Sequence, residues 1–319
     1  MQRRIAVVAV FVMIALAACA SPSKPSAGGA TPTPTTTSSP APAVTPTAAP
    51  SPSMSMSMSV PSASPTVAPS PPVPKPAPPT TSAKPISCTG KIAQTRPVAS
   101  GTGPGGSLVS TGSPAVALTF DDGPDPINTP KILDELKQCG VKATFCVVGF
   151  RARDHPEMIT RIAAEGHTLC NHSWQHLFDL AKRDDAYIRK DLENTNKMIL
   201  RAAPGARVAY FRAPGGNFTT KLVRIASELG MKSIYWHVDP RDWESAKFGK
   251  GTAMVNHVIA AVERDVRPGS IVLSHDNGKP DTIVAYRTLL PWLKARYTLI
   301  ALPDAPPPPP SPAPATPLP

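Results

Sequence analysis

The sequence has 319 residues, a formal net charge of +11 and 42 prolines, and the prolines are unevenly distributed. Nineteen lie between Pro22 and Pro85 and ten between Pro303 and Pro319, so the flanks have few aliphatic or aromatic residues to offset the entropy of ordering them. This composition excludes collagen, a coiled coil and a protein with several membrane spans. The basic residues are scattered and do not alternate with aromatic residues, which argues against a nucleic-acid partner.

The N-terminus has the pattern of an export signal. Arg3 and Arg4 precede an apolar run over residues 5–18, which is shorter than the about 20 residues that span a bilayer. We therefore predict a signal peptide over residues 1–19. The stretch L-A-A-C at 16–19 resembles a bacterial lipoprotein box, which implies acylation of Cys19 and an exported protein anchored to membrane lipid, facing the cell wall. An ordinary cleavage site beside an incidental cysteine is the alternative.

Residues 20–86 consist mainly of Pro, Ser, Thr and Ala and contain no acidic residue. This composition predicts a disordered linker. At about 3.1 Å per residue in the polyproline II conformation, the linker would reach at most roughly 200 Å, enough to carry a domain from a membrane into a surrounding wall. The Pro-rich tail over residues 303–319 is predicted to be disordered as well.

Residues 87–302 are sufficient for one domain with its own core. Apolar runs typical of strands alternate with segments of helical period. The predicted strands are 116–120, 143–148, 167–171, 208–211, 232–237, 270–274 and 297–301. The predicted helices are 129–139, 156–165, 184–202, 219–229, 252–264 and 282–295. Strict alternation predicts an α/β fold with a parallel sheet, and seven strands favour a distorted (β/α) barrel.

Polar residues follow five of the predicted strands. They are Asp121 and Asp122 after the first strand, His172 and His176 after the third, Arg212 after the fourth, Asp239 after the fifth and His275 after the sixth. The carboxyl ends of barrel strands converge on the face where active sites form. His172 and His176 are four residues apart and could project from one side of a helical turn, with Asp122 as a third metal ligand.

Five motifs occur in order over residues 119–275. They are T-F-D-D-G-P at 119–124, H-S-W-Q-H at 172–176, R-A-P-G-G at 212–216, D-P-R-D-W at 239–243 and L-S-H at 273–275. Together they resemble the NodB-homology polysaccharide deacetylases, carbohydrate esterase family four. The resemblance covers about residues 115–302 and implies a distorted (β/α) barrel that hydrolyses N-acetyl groups of a polysaccharide.

The resemblance also implies a metal site and a general base. Asp122, His172 and His176 are expected to bind a divalent ion, with zinc the expected metal. Asp121 is expected to act as the general base, because a metal-activated water still needs a positioned proton acceptor. Arg212 would hold Asp121 ionised and in place.

On the opposite side of the site, His275 is expected to be the general acid that protonates the leaving amine. Asp239 resembles the carboxylate that orients His275 and raises its pKa. Trp243 and Leu273 would wall a small pocket for the acetyl methyl group. The family commonly has tyrosine where this chain has Gly215, so a backbone oxyanion donor is expected to remain while the aromatic wall beside the sugar is lost.

The four cysteines after Cys19 leave two alternatives open. Cys146 and Cys170 lie on consecutive predicted strands and could pair or remain buried thiols, and Cys88 with Cys139 would be the leftover pair.

The expected function is deacetylation of N-acetylglucosamine in peptidoglycan, because a membrane tether and a long linker would place the catalytic face among glycan strands. A chitooligosaccharide or acetylxylan deacetylase of the same mechanism is the alternative, and a catalytically inactive wall-binding protein is a remote one. We expect a monomer.

Overall fold

The structure is a computed structural model that describes residues 85–92 and 94–303 of the chain. The predicted signal peptide with Cys19, nearly all of the predicted linker and the tail after Pro303 lie outside these residues. Within the described part of the chain, no helix is both long and apolar enough to cross a membrane.

Seven strands form one sheet, and every strand pairing in it is parallel. They are β1 (Val116–Asp121), β2 (Thr144–Val147), β3 (Thr168–Asn171), β4 (Tyr210–Phe211), β5 (Lys232–Ser233), β6 (Ile271–His275) and β7 (Leu299–Ile300). The strand order is β5-β4-β3-β2-β1-β6, and β7 pairs with the start of β1. Val238, shortly after β5, forms a parallel bridge with Val272 of β6, so the curled sheet returns to its opposite edge. The predicted distorted (β/α) barrel is confirmed.

Eight helices surround the sheet in the described residues. They are α1 (Thr129–Gln138), α2 (Gly149–Asp154), α3 (Pro156–Ala164), α4 (Asp185–Ala202), α5 (Thr220–Glu228), α6 (Ser245–Phe248), α7 (Thr252–Asp265) and α8 (Pro280–Arg296). Helices α2 and α6 were not predicted, because six and four residues are too few to display a helical period.

Local sequence signals explain where two of the helices begin. The Asp184 side chain accepts a hydrogen bond from the Tyr187 backbone N–H at the start of α4. Thr219 accepts one from Leu222 N–H at the start of α5. Each cap satisfies a backbone donor that the first helical turn cannot pair.

Successive residues along each strand point to opposite faces of the sheet. In β1, Val116, Leu118 and Phe120 pack in the large cluster that also contains buried residues of the surrounding helices, whereas Ala117 belongs to a second cluster with Ile271 of β6. Since successive strand residues point to opposite faces, Asp121 shares the face of Ala117. By the same alternation, His275 shares the face of Ile271. The predicted base and acid therefore end two neighbouring strands and face the same side.

Both pairs of cysteines form disulfide bonds. Cys146 of β2 is bonded to Cys170 of β3, its register partner. Cys88 is bonded to Cys139 at the end of α1, which ties the segment before β1 to the outer helices. The alternatives that the sequence left open are thus resolved in favour of two disulfides.

Candidate active site and metal centre

A cavity of about 380 Å³ lies at the carboxyl ends of the strands. Its lining residues come from several strand ends and the loops that follow them: Asp121, Asp122, His172, His176, Phe178, Gly215, Gly216, Asn217, Trp236, Asp239, Trp243, Leu273 and His275. Every predicted catalytic, substrate-binding and metal residue in the described chain is among them except Arg212, which is fully buried. The structure therefore brings the predicted site together.

The predicted metal ligands converge in the cavity. Asp122 Oδ1 lies 3.3 Å from His172 Nε2 and 3.1 Å from His176 Nε2, and the three candidate ligand atoms lie within 4.8 Å of one another. Asp122 itself has a positive φ of 73°, an uncommon conformation for a non-glycine residue that turns its side chain away from the run of β1. Two imidazoles and one carboxylate are a usual donor set for a divalent transition metal.

The loop that carries the two histidines is not the helical turn that their spacing suggested. Ser173 and His176 have φ values of 64° and 57°, which an α-helical turn does not contain. The Asn171 side chain accepts a hydrogen bond from Ser173 N–H at 2.8 Å, and Ser173 Oγ accepts one from His176 N–H at 3.0 Å. These side-chain acceptors replace helical bonds and hold both imidazoles towards Asp122.

The chemistry of the donor set fits a bound cation. His172 Nδ1 lies 2.8 Å from the Arg212 carbonyl oxygen; in the neutral ring Nδ1–H donates to it, which leaves the Nε2 lone pair directed at Asp122. Asp122 Oδ1 is buried and faces the two ring nitrogens at 3.3 and 3.1 Å without a hydrogen bond of regular geometry to the described residues. Burial lowers the pKa of His172, but the carboxylates of Asp121 and Asp122 more than offset this and raise it. The site thus favours a positive charge between these groups.

Arg212 does not line the cavity, but its guanidinium holds the Asp121 carboxylate in place. Its Nη1 lies 2.7 Å from Asp121 Oδ1 and 2.8 Å from Thr119 Oγ1, and its Nη2 donates to the Tyr235 carbonyl at 2.9 Å. The other carboxylate oxygen, Asp121 Oδ2, lies 3.6 Å from His172 Nε2 and is left on the metal side. A fully buried guanidinium requires such partners, because an unpaired charge in the interior is very costly.

The carboxylate that contacts His275 is Asp242, which corrects the prediction that Asp239 has this place. Asp242 Oδ1 lies 2.7 Å from His275 Nδ1, and Oδ2 accepts hydrogen bonds from His275 N–H and Thr282 Oγ1, both at 2.8 Å. Asp239 instead accepts from Arg241 N–H at 2.7 Å and lies in the cavity wall. Arg241, between the two aspartates of the motif, has a positive φ of 54°, and the second aspartate is the one that contacts His275.

This contact has an electrostatic consequence. Burial by itself lowers the pKa of His275, but the Asp242 carboxylate, followed by Asp122 and Asp121, raises it to about 9. The imidazole is therefore protonated at neutral pH. With Nδ1–H engaged by Asp242, the Nε2–H is the proton available to the cavity.

Strand register places the two charged pairs opposite each other. Asp121 and His275 are Cα partners in the β1–β6 pairing, and neighbouring strands lie about 4.8 Å apart. A carboxylate that can accept a proton and an imidazolium that can donate one thus lie on adjacent strands beside the metal ligands. This arrangement can perform general acid–base hydrolysis at a group bound between them.

Sequence reasoning missed several residues of the site. Asp242 was visible within the D-P-R-D-W motif, but spacing cannot decide which aspartate reaches His275. Phe178, Asn217 and Trp236 also line the cavity. Phe178 follows the second histidine by two residues, and nothing in the hydrophobic pattern separates it from a core residue.

Comparison with known proteins identifies the family. The sequence profile described as polysaccharide deacetylase matches residues 109–234. A chitooligosaccharide deacetylase from Sinorhizobium fredii is 37% identical over 204 residues, which span 60% of this chain and 90% of the relative. This protein belongs to the polysaccharide deacetylase family. The resemblance to NodB-homology deacetylases is confirmed, and the chain is a hydrolase whose family is metal-dependent.

Two further relatives extend this comparison. A peptidoglycan-N-acetylglucosamine deacetylase from Bacillus cereus is 35% identical over 183 residues, spanning 56% of this chain and 81% of the relative. The solved structure of a peptidoglycan deacetylase from Bacillus subtilis matches with a TM-score of 0.52 and 29% identity, covering 60% of this chain and 90% of that one. Relatives named for both glycans therefore match the catalytic domain of this polysaccharide deacetylase.

Proposed function

We propose that this polysaccharide deacetylase removes the N-acetyl group from N-acetylglucosamine units of peptidoglycan with zinc as its metal. The proposal rests on two ion pairs, Asp121 with Arg212 and His275 with Asp242. Both lie beside the three candidate metal ligands. The Asp242 carboxylate keeps His275 protonated at neutral pH, and the Arg212 guanidinium holds the Asp121 carboxylate in place as the proton acceptor. An inactive wall-binding protein would have no need for either.

The reaction adds water across the amide bond. Asp121 Oδ2 accepts a proton from water as the water oxygen bonds to the acetyl carbon. His275 Nε2 then donates its proton to the amide nitrogen as the carbon–nitrogen bond breaks, which releases acetate and the free amine. One proton is taken at Asp121 and one is given at His275, so proton exchange with solvent restores both groups.

The cation held by Asp122, His172 and His176 would supply a Lewis acid that polarises the acetyl carbonyl and lowers the pKa of water. Zinc is proposed because two imidazole nitrogens and one carboxylate oxygen match its preferred ligands. Elemental analysis of the purified protein tests this choice, and a full equivalent of another divalent metal with maximal activity would contradict it.

The wall of the cavity suggests where the acetyl group lies. Leu273 is almost fully buried, and Trp243 is partly exposed. Both line the cavity with His275. Together they offer an apolar surface for the acetyl methyl group next to the proposed acid. The backbone N–H of Gly215, at the same cavity, is proposed to donate to the oxyanion.

Relatives named for peptidoglycan match over 81% and 90% of their own length, which makes peptidoglycan a candidate but does not separate it from chitooligosaccharides. Peptidoglycan is favoured by the predicted lipid anchor and linker, which would hold the domain within the wall. Chitooligosaccharides are the second candidate, because the Sinorhizobium fredii relative carries that name. Acetylxylan is the third candidate substrate.

The proposed location is the outer side of the cell membrane, with the protein anchored through Cys19 as a monomer. All four described cysteines form disulfides, which is typical of oxidising compartments outside the cytosol. Fatty-acid labelling that marks the wild type no more than Cys19→Ala would refute the anchor, and sedimentation as a dimer would refute the monomer.

Acetate release by the full-length protein tests the substrate. Peptidoglycan, chitohexaose and acetylxylan are compared at equal concentrations of acetyl groups, with Asp121→Asn as the inactive control. We expect the highest kcat/KM on peptidoglycan. A higher value on chitohexaose would favour the second candidate, and no release from any glycan would refute the hydrolytic function.

A further inference from the structure

We propose that Phe178 is a sugar-stacking residue of this site, and that its ring, packed on Gly215, stands where a side chain at position 215 would lie. This inference rests on the proposed function and adds a specificity-determining residue to it. Phe178 lies on the loop that follows the second histidine ligand, outside the five motifs.

The packing between Phe178 and Gly215 leaves no room for a second side chain. Gly215 has a φ of 60°, and a Cβ built on it would lie 2.7 Å from both Cδ1 and Cε1 of Phe178. Asn217 Nδ2 also donates a hydrogen bond to the Phe178 carbonyl at 3.0 Å. The loop after His176 is therefore tied to the loop after β4, and the ring lies directly on the glycine.

A second contact fixes the orientation of the ring. Phe178 and His176 meet edge to face, with ring centroids 5.1 Å apart and an interplanar angle of 81°. This is a favoured geometry for two aromatic rings. The phenyl ring is thus held by Gly215 on one side and by a metal-ligand candidate on another, so it presents a defined surface next to the metal centre.

Much of this surface is left open. Phe178 is 64% exposed although it contacts both loops, and Trp243 is 43% exposed; both rings line the cavity. A single exposed phenylalanine is ordinary, but a positioned aromatic ring beside catalytic groups is typical of a ligand site. The C–H groups on one face of an N-acetylhexosamine ring form an apolar surface of matching size, which can lie flat on a phenyl ring.

The sequence suggested that the aromatic wall beside the sugar is lost because position 215 is a glycine. Phe178 supplies an aromatic surface at that position from a different loop. Substrate fit in this chain would therefore depend on a residue that the motif pattern does not contain.

The test compares two exposed apolar residues on loops at the ends of strands. Phe178→Ala removes the ring, Phe178→Tyr keeps its face, and Ile127→Ala is the matched control, since Ile127 is 65% exposed and does not line the cavity. Full-length variants are assayed on the N-acetylglucosamine tetramer and on S-ethyl thioacetate, which has an acyl group but no ring. Melting temperatures check that each variant folds.

We expect Phe178→Ala to lower kcat/KM for the tetramer about tenfold, equivalent to about 1.4 kcal/mol, mainly through KM. Thioester hydrolysis should fall less than threefold. Phe178→Tyr should retain more than half of the tetramer activity, and Ile127→Ala should match the wild type. A tetramer value within twofold of wild type in Phe178→Ala would overturn the proposal, and so would equal losses on both substrates, because that result would mean the ring acts through His176.

Binding separates this proposal from the proposed function. The dissociation constant of the tetramer is measured by calorimetry in Asp121→Asn and in Asp121→Asn with Phe178→Ala. If the wild type releases no acetate but adding Phe178→Ala weakens tetramer binding about tenfold, the stacking role stands while the hydrolytic function fails. Unchanged binding, or no binding to Asp121→Asn, would refute the stacking role.

Discussion

Replacing Asp242 by asparagine should shift the pH dependence of the enzyme in one direction. His275 must be protonated to act as the acid, so activity is present below its pKa and is lost as the pH rises through it. Asp242, followed by Asp122 and Asp121, raises that pKa from 6.5 to about 9 against the effect of burial. Without the Asp242 carboxylate the largest of these contributions is lost, so the pKa falls towards 6.5. At pH 8 the protonated fraction is about nine-tenths for a pKa of 9 and about 3% for a pKa of 6.5, so kcat/KM falls, by at most about thirtyfold.

The assay is the pH profile of kcat/KM for acetate release, with Asp239→Asn as the matched control. Asparagine at 242 can still accept the hydrogen bond from His275 Nδ1, but its amide nitrogen replaces Oδ2, which accepts from His275 N–H and Thr282 Oγ1. The alkaline limb should move to lower pH in Asp242→Asn and stay in place in Asp239→Asn. A cation bound by Asp122 lowers the pKa of His275 in both proteins, and the direction of the difference is unaffected.

Two results would refute this reasoning. An alkaline limb that does not move in a folded Asp242→Asn protein would show that another group titrates there. A larger movement in Asp239→Asn than in Asp242→Asn would restore the role that the sequence assigned to Asp239. The melting temperature of each variant separates these outcomes from unfolding.

Four other substitutions test the remaining parts of the site. Asp122→Asn or His176→Ala should lose the metal together with activity, measured by elemental analysis and acetate release, because two protein ligands leave a weak site. Asp121→Asn should keep the metal and lose turnover by about 10²- to 10⁴-fold, the usual contribution of a general base. Arg212→Met should lower the free energy of unfolding in urea by about 3–5 kcal/mol, because it leaves the buried Asp121 carboxylate unpaired.

Each of these has a contradicting outcome. A metal-free Asp121→Asn beside a fully loaded Asp122→Asn would reverse the roles of the two aspartates. Arg264→Met is the control for Arg212, since Arg264 pairs with Asp265 on the surface, where such pairs contribute little. If Arg212→Met were as stable as Arg264→Met, Asp121 would not depend on its buried partner.

The strands were predictable where burial on both faces produces a continuous apolar run. All six residues of β1 are buried, as parallel strands covered on both sides usually are. The predicted strand over 232–237 is instead only two residues long as β5. Its continuation leaves β4 because Ile234 bridges to Leu108 and Val238 bridges to β6. These partners are distant in sequence, so no local pattern contains them.

The site shows the same division between local and distant information. Asp121, Asp122 and His275 were found because they lie at strand ends, where topology alone brings side chains together. Asp242 contacts His275 next to Arg241, which has a positive φ. The residue type of Arg241 does not predict that conformation. The contact between Phe178 and Gly215 joins two loops that are 37 residues apart, and only the folded chain reveals it.

The stoichiometry of products from an N-acetylglucosamine oligomer tests acid–base deacetylation at this site most directly. Full-length protein loaded with zinc is compared with the zinc-loaded Asp121→Asn variant, and acetate and free amine are both quantified. We expect equal amounts of acetate and amine from the wild type and a rate at least about 10²-fold lower from the variant. Equal rates from the two metal-loaded proteins, or acetate without new amine, would contradict acid–base deacetylation at this site.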